Sequence, residues 1–379
     1  MKDGKYRILH FRKEFERNLP VFINVVKGVD NAKFVHIICY LGKDCGLPDI
    51  LADAGYEVLY LGFHKKSLKV FKPRVVFKLA EILKEKHIDI IHCQKHKPTV
   101  YGTLASLISG GIPVITHVHG LARTRSLKRR FLNWIILKSV RKVIAVSDSV
   151  RSDVIKSNWR VDPAKVVTVK NCINLATIDD IAAGRRDARI KLGIPEDETV
   201  FGTVGRLVTT KGQTYLIDAF SEVGKNVPGA RLVIIGDGPL FKKLLKKVEK
   251  LEISSRVLFT GYRKDVLELI RGFDVFVLPS LAEGLSIALL EAMASRLPVI
   301  ASNVGGIPEV FGGCHCGRLI PPRDIAALSS AMLEIGSLDQ EHKKLLGESG
   351  RRRIEEAFTS GVMIKNMREI YESVLTGNR

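Results

Sequence analysis

Asp274-Val-Phe-Val-Leu-Pro-Ser-Leu-Ala-Glu-Gly-Leu-Ser-Ile-Ala-Leu-Leu-Glu-Ala-Met-Ala294, continued by Pro298-Val-Ile-Ala-Ser-Asn-Val-Gly-Gly306, reads as strand, sharp loop, helix, strand. The apolar run 275–278 stops at Pro279, which cannot donate to a ladder. Ser286 is placed to cap a helix running through Met293. A second short apolar run, 299–301, follows. A strand, helix and strand in that order make a parallel pair. Two carboxylates, Glu283 and Glu291, bracket the loop and the first helical turns.

The same alternation extends outward in both directions. Strands are expected at 7–11, 35–41, 58–61, 88–92, 114–118, 143–146 and 166–169, then at 200–204, 232–235, 257–260, 275–278 and 299–301. Helix-length segments such as 75–86 and 127–138 lie between them, and the tail after Asp324 reads as all helix. The expected class is α/β, with two doubly wound Rossmann-like domains facing across a cleft. The polar, strandless stretch 179–198 is expected to hold the boundary. The expected division is 1–182 as a first domain, 183–360 as a second, and 361–379 as a helix returning to the first.

At 379 residues the chain is long enough for two cores. No apolar run reaches transmembrane length, and the N-terminus leads into a strand, not a signal-peptide core. The six cysteines are scattered apart from Cys314-His315-Cys316, which has no second ligand pair at zinc spacing, so free thiols, a reducing cytoplasm and no metal site are expected. The net charge is +20, and residues 1–180 carry 32 Lys and Arg against 16 Asp and Glu. Such an excess points that half towards an anionic partner.

Three loops carry the candidate chemistry. After the run 200–204 come Gly205, Arg206, Lys211 and Gly212, a tight turn flanked by two cations suited to a diphosphate. Gly236-Asp-Gly238-Pro239 follows the run 232–235 and suits close approach of a ligand to a helix start, with Pro239 expected at the first helical position. In the opening loop, exposed amides around Gly284, Leu285 and Ser286 would meet an anion at a helix N-terminus. Each flanking Glu could accept from a vicinal diol, one on a sugar and one on a ribose.

Taken together, Glu283-x7-Glu291, Gly205-Arg206 with Lys211-Gly212, Gly236-x-Gly238-Pro239, Gly261-Tyr262-Arg263 and Gly305-Gly306-x-Pro-Glu309 resemble glycosyltransferase family 4, retaining enzymes of the GT-B fold. The resemblance implies that Arg206 and Lys211 bind the donor diphosphate, Glu291 the ribose and Glu283 the sugar. It implies that main chain near Tyr262 and Arg263 meets the base. Thr116-His117-Val-His119-Gly120 resembles the family's strand-end His-Gly motif, which places His119 towards the donor sugar. The implied catalytic set is His119, Arg206, Lys211 and Glu283. Two departures stand out: residues 11–20 lack the family's Gly-Gly loop, and Lys170-Asn171-Cys172 replaces Pro-Asn-Gly.

No Asp-x-Asp triplet occurs, so a metal-clamped diphosphate is not signalled, and the two cations with the helix N-terminus would serve instead. No cofactor is expected beyond a nucleotide-sugar co-substrate, a UDP-sugar by preference. No residue reads as a nucleophile, which favours same-face attack by the acceptor hydroxyl. Residues 123–142 hold eight basic residues and no acid, with Phe131, Trp134, Ile135 and Lys138 on a basic amphipathic helix; 64–74 adds five more. Either this is a core-facing helix with a solvated face, or it docks on an anionic membrane or a phosphorylated lipid-linked acceptor. The expected acceptor is a membrane-linked glycan, such as a lipopolysaccharide core or lipid-carrier oligosaccharide, and the expected place is the cytoplasmic face of the membrane. The alternatives are a sugar-nucleotide epimerase or hydrolase on the same fold, and a nucleic-acid binder. No nucleic-acid reader motif appears, so no nucleic-acid partner is expected.

Overall fold

The computed structural model describes residues 4–13, 20–29, 31–44, 50–64, 68, 70–121 and 127–377. Contacts divide the chain into two units, Met1–Asn171 with Ser360–Arg379, and Cys172–Thr359.

Among the described residues of the first unit, seven strands form one parallel sheet: β1 (Tyr6–Arg12), β2 (Phe34–Tyr40), β3 (Glu57–Tyr60), β4 (Ile90–Gln94), β5 (Val114–Val118), β6 (Val140–Ala145) and β7 (Val166–Thr168). Their order is β3-β2-β1-β4-β5-β6-β7, with His10 opposite His92 and Gln94 opposite His117. Burial on both faces explains the continuous apolar runs that marked these strands.

The second unit's described residues form a six-stranded parallel sheet: β8 (Thr199–Val204), β9 (Ala230–Ile235), β10 (Val257–Gly261), β11 (Val275–Leu278), β12 (Val299–Ser302) and β13 (Gly317–Ile320), in the order β10-β9-β8-β11-β12-β13. Its core gathers Phe201, Leu216, Phe220, Leu232, Ile234, Leu244, Val275 and Ile300. Twelve strands fall where the sequence placed them, within a few residues. β13 was not expected: it is four residues long and includes Arg318 and Gly317. A Cβ at Gly317 would sit 1.8 Å from the Val299 carbonyl oxygen, so glycine is what lets this edge strand pair at all.

The division between the units falls at Asn171/Cys172, ahead of the expected boundary at 182. The stretch 179–198 is no linker. Its Arg185–Leu192 helix packs into the second unit, with Arg189 fully buried. Arg189 donates to Asp274 at 2.8 Å and to the carbonyls of Pro195 and Glu196 at 2.8 and 2.7 Å. Asp274 also accepts from Arg185 at 2.9 Å and from the Val200 amide at 2.7 Å. The polar, strandless stretch expected to hold the boundary therefore contains a buried ionic clasp. At the Pro-Asn-Gly departure, Cys172 is buried and is not among the positive-φ residues, so its backbone does not require glycine. The other departure cannot be placed, because 14–19 lie outside the described residues.

The Ser360–Thr376 helix belongs to the first unit and packs on the Pro20–Gly28 helix, where a Cβ on Gly28 would collide with Ile364 at 2.2 Å.

Candidate donor-sugar site

In a doubly wound sheet, ligands bind beyond the carboxyl ends of strands where the strand order reverses. In the second unit that point lies between β8 and β11, each followed by a candidate loop: 205–212 and 279–286. The two loops are stitched together. Leu281 donates its amide to the Thr210 carbonyl at 2.8 Å. Gly212, with φ of 70°, has its Cα face against Pro279, where a Cβ would come 1.9 Å from the carbonyl oxygen. Only glycine satisfies both the left-handed backbone and the close approach.

Lys211 reaches across this junction and forms an ion pair with Glu283, which also accepts from Ser280 Oγ at 3.3 Å. The cation assigned to the diphosphate and the carboxylate assigned to the sugar thus meet at one point. Arg206 is exposed, its main chain fixed by Gln213 Nε2 donating to its carbonyl at 3.2 Å. Gly236 and Gly238 act as contact points between loops: a Cβ there would stand 2.1 Å from the Gly205 oxygen and 2.5 Å from the Leu207 oxygen. Their role in the fold is loop-on-loop packing. Pro239 is not at the first helical position as expected, since the helix begins at Phe241. The Gly236 amide donates to the Gly261 carbonyl at 2.9 Å, which holds the end of β10 and exposed Tyr262 beside the β9 loop. The Arg263 side chain is held by Asp265 at 2.8 and 2.5 Å.

Ser286 caps the Ile287–Ala294 helix as expected, accepting from the Leu289 amide at 3.4 Å. Gly284, Leu285 and Ser286 are buried, however, where exposed amides were expected. The Gly284 carbonyl accepts from the Gly306 amide at 3.0 Å, so the motif after β12 clamps this loop from behind. Glu291 keeps partial exposure, yet burial alone pushes its carboxyl up to about 7. A carboxyl raised in the folded state binds more protons there than in the unfolded chain, so stability falls as pH rises from its ordinary value through about 7. Glu291→Gln should therefore melt like the parent near pH 4.5 and gain about 1–3 kcal/mol over it above pH 7. Thermal melts of both proteins across that range check this; parallel curves would remove the buried-carboxylate assignment.

In the first unit, His119 follows β5. Its Nε2 bonds Gln94 Oε1 at 2.6 Å, and its ring stacks on His117 with centroids 4.5 Å apart. Gln94 and His92 were missed in the sequence. Their signal was polar residues at alternate positions within apolar strands: His10 and Arg12 in β1, His92 and Gln94 in β4, His117 and His119 at the end of β5. Period two and the register put them on one sheet face. Among the described residues, no group of three or more His, Cys, Asp or Glu is arranged to hold a metal ion. No described helix is long and apolar enough to cross a membrane. In the basic region, 65–67, 69 and 122–126 lie outside the described residues, which takes in Lys65, Lys66, Lys69, Arg123 and Arg125.

Residues 184–353 match the family model described as Glycosyl transferases group 1, and residues 24–177 match Glycosyltransferase Family 4. The Escherichia coli UDP-Gal:alpha-D-GlcNAc-diphosphoundecaprenol alpha-1,3-galactosyltransferase is 28% identical over 350 residues, covering 89% of this chain and 88% of that one. The Bacillus anthracis N-acetyl-alpha-D-glucosaminyl L-malate synthase is 30% identical over 80% of this chain and 79% of its own. The crystal structure of Anabaena HepE in complex with UDP superimposes with a TM-score of 0.83 at 20% identity, covering 97% of this chain and all of that one. Two parallel sheets with a ligand-type junction at the β8/β11 reversal, and these likenesses across both halves, place the chain in glycosyltransferase family 4, the group 1 glycosyltransferases of GT-B fold that use nucleotide sugars.

Proposed function

We propose that this enzyme transfers a sugar, with retention and without a divalent metal, from a UDP-sugar to a membrane-linked glycan. The observation that carries the donor half is the Lys211–Glu283 pair at the strand-order reversal. A diphosphate oxygen beside the ammonium sets the attached sugar beside the carboxylate. Arg206 adds a second cation, Glu291 takes the ribose hydroxyls, and main chain at Tyr262 and Arg263 meets the base. Charge developing on the leaving diphosphate is stabilised by fixed cations in a partly desolvated site. His119 is assigned to the transferred sugar by the family resemblance, and the proton leaves the acceptor hydroxyl towards the departing phosphate.

Three observations support a membrane-linked acceptor. The Leu127–Ser139 helix exposes Leu127, Phe131, Leu132 and Ile135, which soluble surfaces avoid, alongside the basic residues of the same stretch. The stretch 70–77 exposes Val70, Phe71 and Phe77, with Lys72 and Arg74 exposed among them in sequence. The E. coli relative acts, by its name, on a diphosphoundecaprenol-linked sugar. Basic residues near an anionic bilayer each contribute about 1 kcal/mol.

The test of the donor half is melting of the full chain with UDP, GDP, ADP and CDP in EDTA. UDP at a hundredfold excess over its Kd should stabilise by about 2.7 kcal/mol; no shift with UDP in EDTA would overturn a metal-free UDP site. The acceptor half is tested with anionic and zwitterionic vesicles. Phe131→Ser with Ile135→Ser should abolish co-sedimentation with the anionic ones, and unchanged binding would remove the docking face.

A further inference from the structure

The sheet face of the first unit that meets the Pro20–Gly28 and Ser360–Thr376 helices is polar where parallel sheets are normally apolar. His10, Arg12, His36, His92, Gln94 and His117 line it, all at or below 5% exposure. From this face a continuous set of hydrogen bonds leads to His119. Tyr371, fully buried on the Ser360–Thr376 helix, bonds His92 Nδ1 at 2.8 Å. His92 Nε2 bonds Gln94 Nε2 at 3.2 Å, and Gln94 Oε1 bonds His119 Nε2 at 2.6 Å.

We propose that Tyr371, His92 and Gln94 are positioning residues that hold His119 in one neutral tautomer and one ring orientation. This rests on the assignment of His119 to the transferred sugar.

The chemistry of the donors fixes the sense. An amide nitrogen only donates and an amide oxygen only accepts. Gln94 Nε2 therefore donates to an unprotonated His92 Nε2, so His92 carries its proton on Nδ1 and donates it to the Tyr371 oxygen. Gln94 Oε1 in turn accepts from His119 Nε2–H, which directs Nδ1 of that ring away from the chain of bonds as the basic nitrogen. Burial, reinforced by His117, Arg12 and His36, lowers the His92 pKa well below its ordinary value, so the ring stays neutral and keeps one proton to place. Stacking of His117 between His92 and His119, at 5.6 and 4.5 Å, keeps the rings near-coplanar in orientation. The register of β4 on β5, with Gln94 opposite His117, brings the amide within reach of the ring two residues on. The C-terminal helix thus acts on a strand-end histidine through hydrogen bonds that are buried as far as Gln94.

The experiment uses the full chain labelled with 15N-histidine, read by long-range proton–nitrogen correlation, beside steady-state transfer kinetics. The parent should show His119 protonated on Nε2 and His92 on Nδ1. Gln94→Leu, which keeps the side-chain bulk and removes both bonds, should give His119 as a tautomer mixture and lower kcat about tenfold with KM for the nucleotide sugar unchanged. Tyr371→Phe, which keeps the ring in its packed place, should shift the His92 proton to Nε2, mix the His119 tautomers and lower kcat about threefold. A purely packing role would move neither tautomer. A His119 signal fixed on Nε2 in both variants overturns the proposal. His119→Ala separates the two ideas: full kcat there removes the sugar assignment, while the spectra of the other two variants still decide the hydrogen-bonded chain.

Discussion

Lys211→Ala is expected to lower kcat by about 10²–10³-fold, the loss seen when one preorganised charge or donor is removed from a developing anion. The effect follows from where the ammonium sits. It lies in the junction of the two loops after β8 and β11, paired with Glu283, and both side chains are largely shielded from water. Shielding raises the worth of the charge to a diphosphate above what a surface lysine would give. The same change should erase the UDP-induced rise in melting temperature in EDTA. The backbone is expected to hold, because Gly212 on Pro279 and Leu281 on Thr210 fix the junction independently of the side chain. Lys211→Arg keeps the charge but not its shape at a point contact, so partial activity is expected. Near-parental turnover by Lys211→Ala would remove the diphosphate assignment. Equal loss of folding and activity would move the residue from chemistry to structure, and circular dichroism separates these.

Asp274→Ala should be the most damaging substitution for stability, at about 3–5 kcal/mol, because it leaves a buried guanidinium without its anion. Asp274 is 6% exposed and Arg189 is fully buried. The carboxylate holds two arginines and the Val200 amide, and so ties the Arg185–Leu192 helix to β8 and to the start of β11. As a control, Glu334→Ala breaks the Arg318–Glu334 pair, whose side chains are 57% and 49% exposed, and should cost under about 1 kcal/mol. Urea denaturation of the second unit's transition compares them. Equal midpoints for the two variants would show that the clasp is not what anchors the stretch 179–198.

The strands were legible because parallel sheets bury both faces, and burial leaves apolar runs that any window finds. Tight βα turns restrict which residues fit, so motif and spacing singled out Glu283, Lys211, Arg206 and Ser286; the structure pairs Lys211 with Glu283 and caps a helix with Ser286. Arg189 was not legible. A charged residue in a polar, strandless run looks the same whether it meets water or a buried aspartate 85 residues away. The burial of Gly284 and Leu285 was also hidden, because the clamp is Gly306, which reaches them only once β11 and β12 lie side by side. Gln94 and His92 could have been suspected from their alternation in β4. Their partner Tyr371 could not, since it lies 279 residues away on the last helix.

By itself, then, the sequence determined the α/β class, the positions of twelve strands and the residue make-up of the two loops after β8 and β11, because these depend on periodicity and on turns of a few residues. The tertiary structure alone decided the strand order that brings 205–212 against 279–286, the pairing of Lys211 with Glu283, and the hydrogen bonds from Tyr371 to His119. Those depend on contacts between residues far apart in the chain, which exist only after the sheets and helices have packed and water has been expelled from between them.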